Sequence, residues 1–223
     1  MLPLKPGTEI VSIRKFWEKN RIRVEILPDG TLEVTAPPHV NPVPFLQQKH
    51  TWIEREVSKR KAIALECSGG DDLFLFQGQW YHLAEGSTCE VGEDTVTYST
   101  PRALKELLVT LLVDEVHTQI QRHTSSLGYR VKSIAVRMQK SRWGSCSGEG
   151  NLNFNLAVMA LPPRLRTYVI LHELVHLVER NHRPQFWERL GTICPEYRMH
   201  RNELKKYWIL LERNSIWRVL RSL

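Results

Sequence analysis

Apolar residues recur at every second position early in the chain. Arg21-Ile22-Arg23-Val24-Glu25-Ile26 alternates polar and apolar, and Thr31-Leu32-Glu33-Val34-Thr35 does the same. That period marks half-buried strands. Pro28-Asp29-Gly30 supplies a turn between them, with proline presetting one dihedral and glycine taking the strained one, so residues 8–36 read as strands with a hairpin. From Pro42 to about Leu65 the period lengthens to that of a helix. Phe45, Leu46, Trp52, Ile53 and Val57 fall near one face, with Lys and Arg opposite. The Ser68-Gly69-Gly70-Asp71-Asp72 stretch breaks it. Short strands follow at 73–76 and 80–83, with Gly78 in the turn, and weaker ones at Val91 and 95–98.

A different pattern begins near Pro101, where Ser99-Thr100 is a cap. Leu104, Leu107, Leu108, Leu111, Leu112, Val116 and Ile120 form a helical stripe that ends at Leu127-Gly128. Residues 130–137 alternate as a strand. The segment Ser141-Arg142-Trp143-Gly144-Ser145-Cys146-Ser147 is dense in polar residues, and a strand at 151–156 follows. That strand sets Leu152, Phe154 and Leu156 on one face and Asn151, Asn153 and Asn155 on the other. Asparagine is depleted in strands. The strand is then either an edge whose polar face lines a wet cleft or an ordinary solvent-facing strand. Leu161-Pro162-Pro163 opens a central helix. Two more helices are predicted at 185–193 and 196–211, with Phe186, Trp187 and Leu190 as core against the central one. The class is α+β. Residues 1–98 form a strand-rich region with one helix, 99–212 a mostly helical domain with a small sheet, and 213–223 a basic tail.

The central helix holds His172-Glu173-Leu174-Val175-His176, the pattern H-E-x-x-H. On a helix the two histidines lie about 40° apart on one face and can hold one zinc ion. Glu173 lies about 100° round, placed to reach a water rather than to ligate. His182 can be the third ligand if the helix ends near 179–181 and the chain turns back. A fourth position then stays open, as a catalytic site requires. Leu171, Leu174, Val175, Leu177 and Val178 make this helix largely buried. The bland alternative is a core helix whose polar groups are satisfied by protein partners. His39, His50 and His82 read as surface or turn residues, and His117 and His123 as structural.

Composition narrows the setting. The formal net charge is +7, which favours contact with something anionic and leaves nucleic acid or nucleotide phosphate beside a merely solvated basic surface. No G-x-x-x-x-G-K loop is present. The four cysteines, Cys67, Cys89, Cys146 and Cys194, show no C-x-x-C, so neither a disulfide framework nor a cysteine zinc site is expected. The start lacks a secretory segment and no run approaches a membrane span, so the cytoplasm is the expected location.

The 141–146 segment, the Asn-rich strand, Leu161-Pro162-Pro163, the H-E-x-x-H core and His182-Arg183-Pro184-Gln185-Phe186-Trp187 together resemble the YgjP-like metallopeptidase family, related to the SprT and Wss-type proteases that act at DNA. The resemblance is strong over about 100–210 and extends to the strand-rich start. It implies a zincin-like α+β fold, Zn²⁺ on His172, His176 and His182, and Glu173 as base. The spacing to His182 also fits metzincins, but Glu179 stands where those have glycine, and Met199 is a weak candidate for their Met-turn. Arg142, Tyr197 and His200 are candidate oxyanion donors, and Glu196 a candidate to orient an imidazole. Arg142-Trp143 with Asn153 and Asn155 form the expected far wall of the cleft. Three functions stay open: a zinc metallopeptidase acting on peptide or protein, a metal-dependent nucleoside triphosphate hydrolase, and a non-catalytic zinc module that binds nucleic acid or protein. An intact Glu173 speaks against the third, since a structural site has no use for a base.

Overall fold

The structure, a computed structural model, describes residues 10–15, 21–27, 30–66, 73–127 and 130–223. The chain divides into two compact units, Met1–Gly69 and Gly70–Leu223. The Pro28-Asp29 part of the expected turn, the break at 68–72, Cys67 and Gly128 lie outside the described residues.

In the first unit, β1 (Ile10–Lys15), β2 (Arg23–Ile26) and β3 (Leu32–Ala36) form a sheet in the order β1-β3-β2. The hairpin expected from alternation is present. β2 runs antiparallel to β3, pairing Val24 with Val34 and Ile26 with Leu32. Gly30 takes φ +89°, a conformation open to glycine and strained for other residues. The predicted single helix is divided at Lys49 into α1 (Val43–Gln48) and α2 (His50–Glu66). Ile26, Leu32, Val34, Leu46, Ile53 and Val57 make the core. Trp52 is left 45% exposed, outside the core face expected for it.

The second unit begins with a four-stranded sheet in the order β4-β5-β7-β6, built from β4 (Leu73–Phe76), β5 (Gln79–Glu85), β6 (Glu90–Val91) and β7 (Thr95–Tyr98). Helix α3 (Pro101–Leu127) follows, and the Thr100 hydroxyl accepts from Ala103 N at 3.1 Å as the expected cap. Then come β8 (Ser133–Arg137), β9 (Gly144–Cys146) and β10 (Asn151–Asn155), in the order β8-β10-β9. A 3₁₀ turn, Leu156–Ala160, leads into α4 (Pro163–Val175), followed by α5 (Pro184–Ile193), α6 (Tyr197–Arg213) and α7 (Ser215–Ser222).

Two boundaries differ from the sequence reading. The strands at 73–98 belong to the second unit and are tied to it by hydrogen bonds. Gln77 N donates to Met159 O at 2.8 Å and Gly78 N to Ala160 O at 2.9 Å. The stretch 213–223 is also no free tail. It forms α7, with Trp217 fully buried against Phe74 and its indole N–H donating to Leu75 O at 2.7 Å. A basic composition hid these anchors, because Arg218 and Arg221 alternate with Trp217 and Leu220, which are buried.

The Asn face of β10 is neither an edge nor solvent-facing, because β10 is the middle strand. Its polar groups are met largely within the protein. Asn151 Oδ1 accepts from Ser133 at 2.7 Å. Asn155, fully buried, accepts from Ala157 N and donates to the carbonyls of Gln139 and Arg142. Helix α4 is enclosed along most of its length: Leu165, Tyr168, Val169, Ile170, Leu171, Leu174 and Val175 are buried. Buried Arg166 holds its first turn, donating to Glu115 at 2.7 Å and to Leu161 O at 2.9 Å.

Candidate metal centre

Helix α4 ends at Val175, with His176 as its C-cap. This is earlier than the 179–181 expected from the apolar run. Leu177 N and Val178 N each bond the carbonyl three residues back at 3.1 Å, tightening the end of the helix as 3₁₀ bonds do. The chain then turns back toward His182. Among the described residues the sole non-glycine with positive φ is Gln77. The turn therefore needs no left-handed residue, and Glu179 is accommodated where metzincins have glycine.

The ligand nitrogens of His172, His176 and His182 all lie within 4.8 Å of one another. His172 Nε2 and His182 Nε2 are 2.9 Å apart. His176 Nδ1 lies 2.9 Å from Glu179 O. Donating there leaves its Nε2 as a lone pair aimed at the cluster. Burial, reinforced by the neighbouring His176, His182 and Arg201, pushes the His172 imidazole down to about 3. His182 is lowered in the same way, burial first. Neutral imidazole is the form that a metal binds. Under the trio lies the fully buried ring of Phe186, with centroids 4.8, 4.6 and 4.7 Å from the three histidine rings in chain order. Trp187 stacks on His182 and donates to His182 O at 3.1 Å. The donor set, three imidazoles at one point, fits a borderline-soft divalent ion.

Glu173 is 5% exposed, and its Oε2 is buried without a hydrogen-bond partner. Burial lifts its carboxyl to about 8, opposed by the Arg142 guanidinium. A cation among the histidines would draw it back down, because an opposite charge nearby favours the ionised form. Glycine at 144 makes room for it: a Cβ there would stand 2.7 Å from Glu173 Cγ and 2.8 Å from Oε1. His172, Glu173 and His182 line a cavity of about 370 Å³, together with Trp143, Gly144, Tyr168, Trp187 and Arg201 among others.

The sequence matches the family described as YgjP-like, metallopeptidase domain, over residues 20–207. The chain belongs to the YgjP-like metallopeptidase family. Among solved structures, the metallopeptidase zymogen abylysin of Pyrococcus abyssi is similar at 24% identity and a TM-score of 0.39, covering 44% of this chain and 97% of that one. No curated protein matches. Membership makes this YgjP-like chain a metal-dependent hydrolase of the metallopeptidase kind and implies a divalent metal. No helix among the described residues is long and apolar enough to cross a membrane.

The other residues singled out from the sequence are scattered. Arg142 is exposed but acts electrostatically on Glu173. Trp143 reaches the cavity and packs on Trp208 at 4.2 Å between ring centroids. Asn153 and Asn155 do not line it. Gly144 pairs with Phe154 across the sheet, so the face toward Glu173 is the apolar one, and the asparagines point the other way. Asn153 Oδ1 is buried there without a partner, and nothing in the structure accounts for that. Tyr197 stacks on Trp187 from outside. His200 is buried, with Nδ1 3.6 Å from the Cys194 sulfur and Nε2 3.7 Å from the Glu196 carboxylate. Glu196 therefore faces His200 rather than a histidine of the trio. Met199 is 53% exposed on α6 and makes no Met-turn under the site.

Tyr168, Gly144 and Arg201 also line the cavity, beyond the residues expected from the sequence. Tyr168 had a usable signal, since it precedes His172 by four residues and so shares its helix face. Trp187, expected as core, is half-buried and walls the cavity.

Proposed function

We propose that this protein is a zinc-dependent peptidase in which His172, His176 and His182 hold the ion and Glu173 is the general base. The observation that carries the reading is the convergence of the three imidazoles beside a buried carboxylate atom with no protein partner. An unpaired buried Oε2 is costly in a purely structural helix and expected where a water must be gripped.

Bound zinc supplies Lewis acidity, polarising a carbonyl oxygen and making water a stronger acid. The chain does the rest. The Glu173 carboxylate takes the proton of the attacking water and hands it to the departing amine. Arg142 favours the ionised carboxylate that this requires. Tyr168, lining the same cavity, has its phenol pushed up to about 12, mainly by burial. It therefore stays protonated as a donor for charge that develops on the carbonyl oxygen. His176 is held in one tautomer by Glu179 O. Phe186 packs against all three rings from below.

The test is a parallel screen of peptides, folded proteins and nucleoside triphosphates, with Glu173→Gln as the blank. Peptide or protein cleavage lost in Glu173→Gln supports the proposal. Glu173-dependent hydrolysis of triphosphates alone would replace the peptidase reading by a phosphoanhydride hydrolase. A zinc-loaded protein that hydrolyses nothing would leave the binding-module reading.

A further inference from the structure

Beside the catalytic cavity runs a second, more open groove of about 550 Å³, and the two share Trp187 and Arg201 as walls. The groove is lined by Tyr197, Arg198, Arg201, Asn202 and Lys205 of α6. These positions follow helical spacing, so one face of α6 presents three cations in a row. No acidic side chain lines the groove. Among the described residues, none of Arg198, Arg201 and Lys205 is ion-paired with a carboxylate. The Arg201 guanidinium instead lies over the Trp187 ring, 4.9 Å from its centroid, and Arg198 lies over Tyr197 at 5.6 Å. The aromatic rings steady both heads, Arg198 Nε also donating to the Tyr197 hydroxyl at 3.1 Å, and leave the other guanidinium N–H groups for an anion. Arg201 also acts on the catalytic side, lowering His172 and His182 and opposing the upward shift of Tyr168.

We propose that this groove is a substrate subsite for acidic residues, so that the enzyme prefers peptides carrying Asp or Glu a few residues from the bond it cleaves. The proposal rests on the peptidase reading for what occupies the cavity, but the groove's own chemistry is independent of it. The juxtaposition is specific: a peptide that leaves the catalytic cavity on the side of Trp187 and Arg201 meets three cations with no carboxylate partner among the described residues. Planar guanidinium forks match carboxylates, and an exposed lysine adds charge without geometry. The preference should weaken with salt, since Arg198, Arg201 and Lys205 are solvent-exposed and screening acts within about 10 Å at 0.1 M.

The experiment uses the full chain loaded with zinc, as the Glu173→Gln protein for binding and as wild type for cleavage. The probes are a fluorescent peptide set identical except for Asp, Asn or Lys at positions on either side of the centre. Binding should favour the Asp peptide over the Asn peptide by about tenfold at low salt. Charge reversal at Arg198→Glu with Lys205→Glu should shift the preference to the Lys peptide. The milder pair Arg198→Gln with Lys205→Gln should erase it and guards against misfolding of the first. Equal binding of Asp and Asn peptides overturns the proposal, as does a preference that survives charge reversal. If inorganic triphosphate displaces the Asp peptide more strongly than free aspartate-rich peptide does, the groove is a phosphate site and the acidic-peptide assignment falls. Should wild type cleave none of the peptides while the binding preference holds, the subsite stands and the peptidase reading is what fails.

Discussion

The two ends of α4 bury charge in opposite ways. At the first turn, Arg166 is 5% exposed and fully answered, with Glu115 and the Leu161 carbonyl taking its N–H groups at 2.7 and 2.9 Å. At the last turn, Glu173 is equally buried, yet its Oε2 has no partner and its carboxyl is raised to about 8. His172 Nδ1 beside it is also buried and unpartnered. One helix thus carries a completed polar network at one end and an incomplete one at the other. A completed network holds a fold together, and breaking it leaves a buried charge. An incomplete one is destabilising until something arrives, and the chemistry of the donors says what.

The contrast can be broken at either end. The largest effect is expected from His176→Ala, which removes one of the three imidazoles proposed to hold the ion. Metal content should drop to background, and hydrolysis should fall by more than about 100-fold, the size of loss that an outer-shell partner alone produces. Retention of stoichiometric metal would mean that the cluster is not the site. At the other end, Arg166→Ala should strand Glu115 and cost about 3 kcal/mol of stability. Chemical denaturation measures this, and the surviving folded fraction should keep its metal. If Arg166→Ala instead loses metal at full stability, the separation of the two ends is wrong.

Gly144→Ala separates metal binding from catalysis at the last turn of α4. The added Cβ would meet Glu173 at 2.7–2.8 Å, so the carboxylate must move while the histidines stay. We expect unchanged metal affinity with a fall in kcat of about tenfold or more, since misplacement by about 1 Å can lose a factor of 10². Equal losses in metal affinity and kcat would contradict the idea that Gly144 serves Glu173 alone.

A smaller effect is the pH profile of the metal-free protein. Glu173 goes from 4.5 to about 8 on folding, so its stabilising contribution is present below 4.5 and is lost as pH rises to about 8. His172 goes from 6.5 to about 3, so its contribution is present above 6.5 and is lost as pH falls to about 3. The two slopes oppose each other between 4.5 and 6.5, giving a plateau in melting temperature in chelator. Glu173→Gln should remove the decline on the alkaline side, and an unchanged decline there would place its cause elsewhere.

The sequence pattern showed the local elements more clearly than their assembly. Alternation located β2, β3 and β10, and the Leu104-to-Ile120 stripe located α3, because both periods are local properties of one face. The H-E-x-x-H spacing brought His172 and His176 together for the same reason. Helix α4 ends earlier than the apolar pattern implies, since Leu177 and Val178 continue that pattern while their N–H groups already bond three residues back instead of four. β10 was misread because three asparagines look like a wet face. Whether a strand is central depends on its second neighbour: β9 pairs with β10 as a local hairpin, but β8 reaches it from further back in the chain. Arg201 was indistinguishable from other surface arginines until α6 was seen to pass Trp187. Non-local packing has no signature within a single element.

The most direct test is hydrolysis by zinc-loaded Glu173→Gln, with metal content measured on the same sample. The expected result is one ion per chain, as in wild type, and cleavage reduced by about 10² to 10⁴, the range for loss of a general base. Full cleavage with metal bound would contradict the role given to Glu173, and with it the reason for its unpartnered burial at the end of α4.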